Sequence, residues 1–66
     1  MGEMKPESII RAILAEKRIS QMKLAEILDK SVQVVSSKMT GRTKFTFEEI
    51  KLICKELDVD PNIFFT

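Results

Sequence analysis

Apolar residues recur every three or four positions along most of this 66-residue chain, and this spacing predicts helices and no strand. The first helix is predicted to begin at Pro6, because a proline there lacks only an N–H that would have no helical partner. Its core-facing residues are expected to be Ile10, Ile13 and Leu14, and it should end near residues 17–18. The pattern therefore favours an all-α fold.

Two serines mark the starts of two short helices. Ser20 and Ser31 each suit an N-cap, where the hydroxyl accepts a hydrogen bond from a free N–H of the first turn. Helices over residues 21–28 and 32–39, joined by a tight turn at 29–30, form a helix-turn-helix, whose second helix can enter the major groove of DNA. The residues predicted to be buried are Leu24, Ala25, Leu28, Val35 and Met39.

The remainder of the chain predicts two further helices. Gly41 is expected to end the third helix, because glycine adopts positive φ without steric cost. Thr46 and Glu49 have the spacing of a capping box for a fourth helix, and Asp60-Pro61 is expected to open a short fifth one. The apolar stripe of the fourth helix is Ile50, Ile53, Cys54 and Leu57, and the fifth helix carries Ile63, Phe64 and Phe65.

The length of 66 residues limits the chain to one domain with a small core. We expect a flexible N-terminus over residues 1–5 and a compact five-helix domain over 6–66. The single cysteine excludes an internal disulfide, and Cys54 is predicted to be a core residue. The sequence has no signal-peptide pattern and no apolar run of the roughly 18 residues that a membrane span needs. We therefore expect a cytoplasmic protein without membrane contact.

Positive charge is concentrated in one part of the chain. Residues 17–44 carry a net charge of +5, whereas residues 1–16 carry −1 and residues 45–66 carry −3. A phosphate-binding face requires such a footprint, and here it coincides with the helix-turn-helix. The alternative on charge alone is an ordinary solvated surface of mixed charge.

Catalysis is disfavoured by the residue types present. The chain has no histidine, no tyrosine and one cysteine, and no carboxylate pair lies in an apolar setting that would tune its pKa. Metal ligands are too few for a site. We predict no enzymatic activity, no cofactor or metal and no small-molecule ligand, which leaves DNA or another protein as the partner.

The order and spacing of these motifs resemble the lambda-repressor-like helix-turn-helix domains of phage repressors, Cro proteins and related bacterial regulators. The resemblance covers about residues 9–65, and it implies the five-helix fold and double-stranded DNA as the partner. Two residues depart from the family pattern: Asp29 replaces the usual turn glycine, and Lys38 replaces a residue that is often apolar. We expect Asp29 to tolerate the left-handed turn, Met39 to take the buried role and Lys38 to point at phosphate. The matching stretches are Ser20-Gln21, Leu24-Ala25, Leu28, Ser31, 35–42, 45–50 and 57–61.

The resemblance also implies which residues face base edges. The first, second and sixth positions of the third helix are Val32, Gln33 and Ser37, with Ser36 as an additional contact to base or phosphate. Gln33 is the best candidate for direct readout, because its amide can pair with N7 and N6 of adenine. Val32 offers only apolar contact, most plausibly with a thymine methyl group. The alternative for all four is a solvent-exposed helix face.

Phosphate contacts are implied at the start of the second helix and in the connector after the third. Gln21 would donate its amide where the helix dipole also attracts an anion, and backbone N–H groups and basic side chains of the connector would hold a phosphate. The alternative is a set of ordinary surface residues. The predicted phosphate contacts are Gln21, Lys23, Lys38, Thr40, Gly41, Arg42, Thr43 and Lys44.

These features predict a DNA-binding transcriptional regulator, specifically a phage-type repressor that occupies an operator. One recognition helix covers few base pairs, so we expect a two-fold homodimer on half-sites about 34 Å apart. The segment 63–66 would either contribute to the dimer contact or fill the core, which we favour for Ile63 and Phe64. Two alternatives remain: a protein-interaction module of the same fold, such as an antitoxin-like or anti-repressor component, and the DNA-binding domain of a longer protein.

Overall fold

The computed structural model describes residues 5–64, and the only regular secondary structure in that range is helical. They are α1 (Pro6–Lys17), α2 (Gln21–Leu28), α3 (Val32–Met39), α4 (Phe47–Leu57) and a C-terminal 3-10 helix (Pro61–Phe64). The all-α prediction is confirmed. The predicted flexible N-terminus falls, apart from Lys5, outside the described residues, as do Phe65 and Thr66.

The predicted fifth α-helix is corrected to a single 3-10 turn. The N–H of Ile63 donates to the carbonyl of Asp60 at 3.2 Å, which is the three-residue spacing of a 3-10 helix. The carboxylate of Asp60 also accepts from the N–H of Asn62 at 3.0 Å. Asp60 therefore opens the element as predicted, but the described segment has four residues, too few for a ladder of α-helical hydrogen bonds.

All three predicted N-caps are confirmed. Ser20, Ser31 and Thr46 are extended, and each hydroxyl oxygen accepts from the N–H three residues later at 3.1–3.2 Å. Thr46 also donates its own N–H to Oε1 of Glu49 at 2.8 Å, which completes the capping box. These local bonds fix where α2, α3 and α4 begin.

Three helices end on residues that are left-handed without being glycine. Arg18, Asp29 and Asp58 have φ of 58°, 57° and 57° after α1, α2 and α4. The N–H of the following residue turns back to a carbonyl of the last turn in each case, as in a Schellman motif. Asp29 therefore makes the turn of the helix-turn-helix as predicted.

The predicted apolar faces meet in one core. Helix α2 packs against α3 and α4, α1 packs against α3, and the 3-10 helix packs against α1 and α4. Phe64 packs on this core, but Ile63 is 38% exposed, so its predicted core role is wrong. Within residues 5–64, no helix has both the length and the apolar composition that crossing a membrane requires. The most deeply buried side chains are Ile10, Leu24, Val35 and Ile53, one from each α-helix.

Candidate nucleic-acid interface

The outward face of α3 presents short polar side chains. At about 100° per residue, Gln33 and Ser37 lie opposite the buried residues Val35 and Met39. Ser36 is exposed beside them. Two β-branched residues on the same helix are also exposed, Val32 at 43% and Val34 at 41%. Of the predicted base contacts, Val32, Gln33 and Ser36 are therefore exposed, whereas Ser37 points outward but is half-buried.

The connector after α3, residues 40–44, folds back on the end of that helix. The N–H groups of residues 41–43 all donate to the carbonyls of Lys38 and Ser37, at 2.9–3.4 Å. The hydroxyl of Thr40 also donates to the Ser37 carbonyl, at 3.0 Å. The prediction that backbone N–H groups of this connector hold a phosphate is therefore corrected, because those donors already close α3. Gly41, whose only donor is one of them, leaves the set of phosphate candidates.

Side chains of the connector remain available to an anion. Arg42, Thr43 and Lys44 are all exposed. Among residues 5–64, no carboxylate lies within 4.0 Å of the charged group of Arg42 or Lys44. An exposed cation without an internal partner gives up little on meeting a phosphate, so these two residues fit the predicted contacts.

Lys38 does not point at phosphate, and this prediction is corrected. Its Nζ lies 3.0 Å from Oε1 of Glu49 and donates to the carbonyl of Lys44 at 3.1 Å. The ammonium also lies 5.8 Å from the centroid of the Phe45 ring, and the Lys38 side chain is only 11% exposed. The carboxylate, carbonyl and ring together compensate the burial of the charge. Met39 is buried as predicted, at 2% exposure.

The carboxyl group of Glu49 joins the cap of α4 to Lys38. Burial alone would raise the pKa of Glu49, but the hydrogen bond from the Thr46 N–H and the contact with Lys38 outweigh it. The pKa of Glu49 therefore lies below its ordinary value. The group stays ionised near neutral pH and keeps both contacts.

The predicted contacts on α2 are at the surface. Gln21 is the first residue of α2 and is exposed. Lys23 is exposed and lies 3.6 Å from Oε1 of Glu26, an ion pair of the weak surface type. Both side chains are free to reorient toward a phosphate near the N-terminus of α2.

A concave surface joins the two predicted kinds of contact. Ser36 and Ser37 of α3 line it together with Thr40, Gly41 and Arg42 of the connector. A side chain predicted to face bases thus adjoins a cation predicted to face phosphate. This arrangement suits a double helix, in which base edges and backbone lie side by side.

Two residues of α1 that the sequence did not single out reach this region. Arg11 donates from Nη2 to the carbonyl of Met39 at 2.8 Å, and so holds the end of α3. A Cβ at Gly41, where φ is 87°, would lie 3.1 Å from Oε2 of Glu7. Neither contact had a local signal, since Arg11 and Met39 are 28 residues apart in the chain.

No second chemical centre appears in the described part of the chain. Cys54 is buried, and burial together with the charge of Asp60 raises the pKa of its thiol, as expected for a core cysteine. Within residues 5–64, no cluster of three acidic, cysteine or histidine side chains is placed to hold a metal ion.

Comparisons with known proteins agree with this geometry. The family model of the Cro/C1-type HTH DNA-binding domain matches residues 10–62, which span all four α-helices except the first turn of α1. No curated protein and no solved structure matches the chain significantly. The matched range covers more than half of the sequence and includes the helix-turn-helix with both serine caps. The chain therefore belongs to the Cro/C1-type HTH DNA-binding domain family.

Proposed function

We propose that this domain is a transcriptional regulator that reads a specific double-stranded DNA site with α3 in the major groove, as a phage- or prophage-type repressor acting by operator occupancy. One observation carries the proposal: the outward polar face of α3 continues directly into exposed cations that have no acidic partner among residues 5–64. Gln33 and Ser37 supply base-reading groups, and Arg42 and Lys44 supply charge for the adjoining phosphates. Such a protein would act in the cytoplasm of a bacterium or a phage-infected cell.

Three of the predicted phosphate contacts are exposed cations, and they set the electrostatic part of binding in this proposal. Lys23, Arg42 and Lys44 remain after Lys38 is assigned to Glu49. If each neutralises one phosphate, a dimer should show a slope of log affinity against log salt near −5, because each contact contributes about −0.9. The dimer is part of the proposal, since one α3 spans too few base pairs for a unique site.

Selection of bound sites from random duplex DNA tests the proposal directly. We expect enrichment of a short half-site repeated with two-fold symmetry at about one helical turn, ~34 Å. A folded protein that binds no duplex even at low salt would contradict DNA binding itself. Enrichment of an unrepeated half-site would contradict the dimer.

Substitution of Gln33 tests which residue reads bases. Gln33→Ala should cost about 1–3 kcal/mol on the selected site and little on random duplex, because only a base contact carries sequence information. The matched control is Gln21→Ala, which removes the same side chain from a predicted phosphate contact. That variant should weaken binding to both duplexes equally. An equal loss on both duplexes for Gln33→Ala would show that Gln33 reads no base.

The exposed valines favour a second candidate function. Val32 and Val34 flank the outward face of α3 at 43% and 41% exposure, as a protein-binding face would require. An antitoxin-like or anti-repressor module of the same fold would bind its partner there. The salt slope separates the two functions, because a duplex-binding dimer follows the steep dependence above and a module without DNA binding shows none.

A further inference from the structure

Lys38 connects three segments that meet behind the candidate DNA-binding face. Its Nζ reaches Oε1 of Glu49 at 3.0 Å and the carbonyl of Lys44 at 3.1 Å. Glu49 accepts in turn from the Thr46 N–H at 2.8 Å. The side chains of Lys38 and Glu49 are 11% and 12% exposed, so water screens their interaction weakly.

The position of Lys44 depends on this network. The connector is tied to α3 at its start by the N–H groups of residues 41–43, and to α4 at its end by the Thr46 cap. Between these two anchors, the carbonyl of Lys44 is held by Lys38 alone among the hydrogen bonds described for residues 5–64. The Lys38 ammonium therefore holds the backbone at Lys44 from the buried side, next to the buried ring of Phe45.

We propose that Lys38 is a positioning residue for DNA binding, which never touches DNA but holds the connector so that Lys44 meets the phosphate backbone. The inference rests on the proposed DNA-binding function. Its physical basis is that a preordered contact loses less conformational entropy when the complex forms. Lys38 then strengthens DNA binding through its hydrogen bond to the Lys44 carbonyl, rather than through attraction between its own charge and a phosphate.

A double variant that preserves charge and cap tests the proposal. Lys38→Met with Glu49→Gln removes one positive and one negative charge, so the net charge is unchanged. Glutamine retains the capping box, which accepts either Glu or Gln at this position. The bond to the Lys44 carbonyl is lost without leaving Glu49 buried and unpaired. The matched control is Lys55→Met with Glu56→Gln, an equal change at two exposed residues of α4.

The measurement is the dissociation constant for a short random-sequence duplex at low salt, at a temperature far below the unfolding midpoint of every variant. We expect the Lys38/Glu49 double variant to bind about fivefold more weakly, the loss expected when one long side chain must be ordered as the complex forms. The Lys55/Glu56 control should bind like the wild type. Circular dichroism establishes that each protein is folded under these conditions.

A cycle with Lys44→Ala distinguishes positioning from direct contact. If Lys38 acts through Lys44, the double variant should lose less than about twofold in the Lys44→Ala background, within the error of additivity. It should also leave the salt slope of that background unchanged. A loss of full size in that background, or a slope reduced by a further ~0.9 per protomer, would show that Lys38 contacts phosphate itself.

Folding failure and functional failure are separable in this design. If the double variant does not fold, Glu49→Gln alone keeps Lys38 and the cap but breaks the ion pair. Relative to Glu56→Gln, which removes the same charge at an exposed site, it should show the same dependence on Lys44 with a smaller loss. Unchanged affinity in a folded double variant would overturn the positioning role. Absence of duplex binding by the wild type would instead overturn the proposed function.

Discussion

The helix ends at Arg18, Asp29 and Asp58 predict that the domain can be stabilised without touching its core. Each residue is left-handed, with φ of 57–58°, where a Cβ costs roughly 1–2 kcal/mol and glycine costs nothing comparable. Aspartate tolerates this region better than arginine, because its short side chain can hydrogen-bond locally. Arg18→Gly should therefore raise the free energy of unfolding most. The net gain should be about 1 kcal/mol, once the greater conformational entropy of glycine in the unfolded chain is subtracted.

The magnitude is large for a domain of this size. In a chain of 60–100 residues, 1 kcal/mol moves the unfolding midpoint by about 4–8 °C. Arg18 and Asp29 follow different helices and make no described side-chain contact with each other, so their effects should add. The backbone bonds that close the helices survive, since they use N–H groups rather than side chains.

Thermal and urea unfolding followed by circular dichroism measure the effect. Ala12→Gly is the matched control, because Ala12 is an exposed residue inside α1 and glycine there should cost about 1 kcal/mol. Introducing glycine would thus stabilise the end of α1 and destabilise its middle. The strain explanation would be refuted if Arg18→Gly and Asp29→Gly were both no more stable than the wild type while Ala12→Gly showed its expected loss.

Three further outcomes follow from the contacts around the connector. Folding lowers the pKa of Glu49, so its ionised form stabilises the domain. This contribution is complete at pH values above the ordinary pKa of 4.5 and is lost as the pH falls through the lower folded pKa. Urea unfolding at a series of pH values should show this loss, and Glu49→Gln should reduce it. Gly41→Ala should destabilise the domain by about 1–2 kcal/mol, because φ at this position is 87°. If backbone strain causes this loss, rather than crowding against Glu7, most of it should persist when Glu7→Ala is also present. Glu7→Gln should tighten binding to random and selected duplexes alike, because the Glu7 carboxylate lies beside the connector and would repel a phosphate bound there. Repulsion between unit charges about 7 Å apart in water corresponds to about threefold in affinity, and unchanged affinity would place the phosphate elsewhere.

The sequence predicted what local interactions determine. The caps at Ser20, Ser31 and Thr46 use partners three residues away, and the apolar spacing predicts each buried helix face. The boundaries of α2 and α3 are therefore those predicted. Local chemistry was enough to locate the helix-turn-helix.

The corrections concern contacts between segments that the sequence cannot pair. Lys38 was expected to point at phosphate because Met39 could take the buried role beside it. Its partner Glu49 lies on another helix and was already explained by the capping box. The N–H groups of residues 41–43 were expected to face a phosphate, because the sequence does not show how far the connector folds back on α3. Arg11 meets Met39 only because α1 packs against the end of α3.

The closeness of the Glu7 carboxylate to Gly41 bears on how the protein is handled in the laboratory. It places the first turn of α1 beside the connector that carries Arg42 and Lys44. Any affinity tag or fusion partner joined ahead of Lys5 therefore enters the fold next to the surface that we propose for DNA. Binding assays should use tag-free protein, and a fluorophore attached at that end should report on duplex binding through its change in environment.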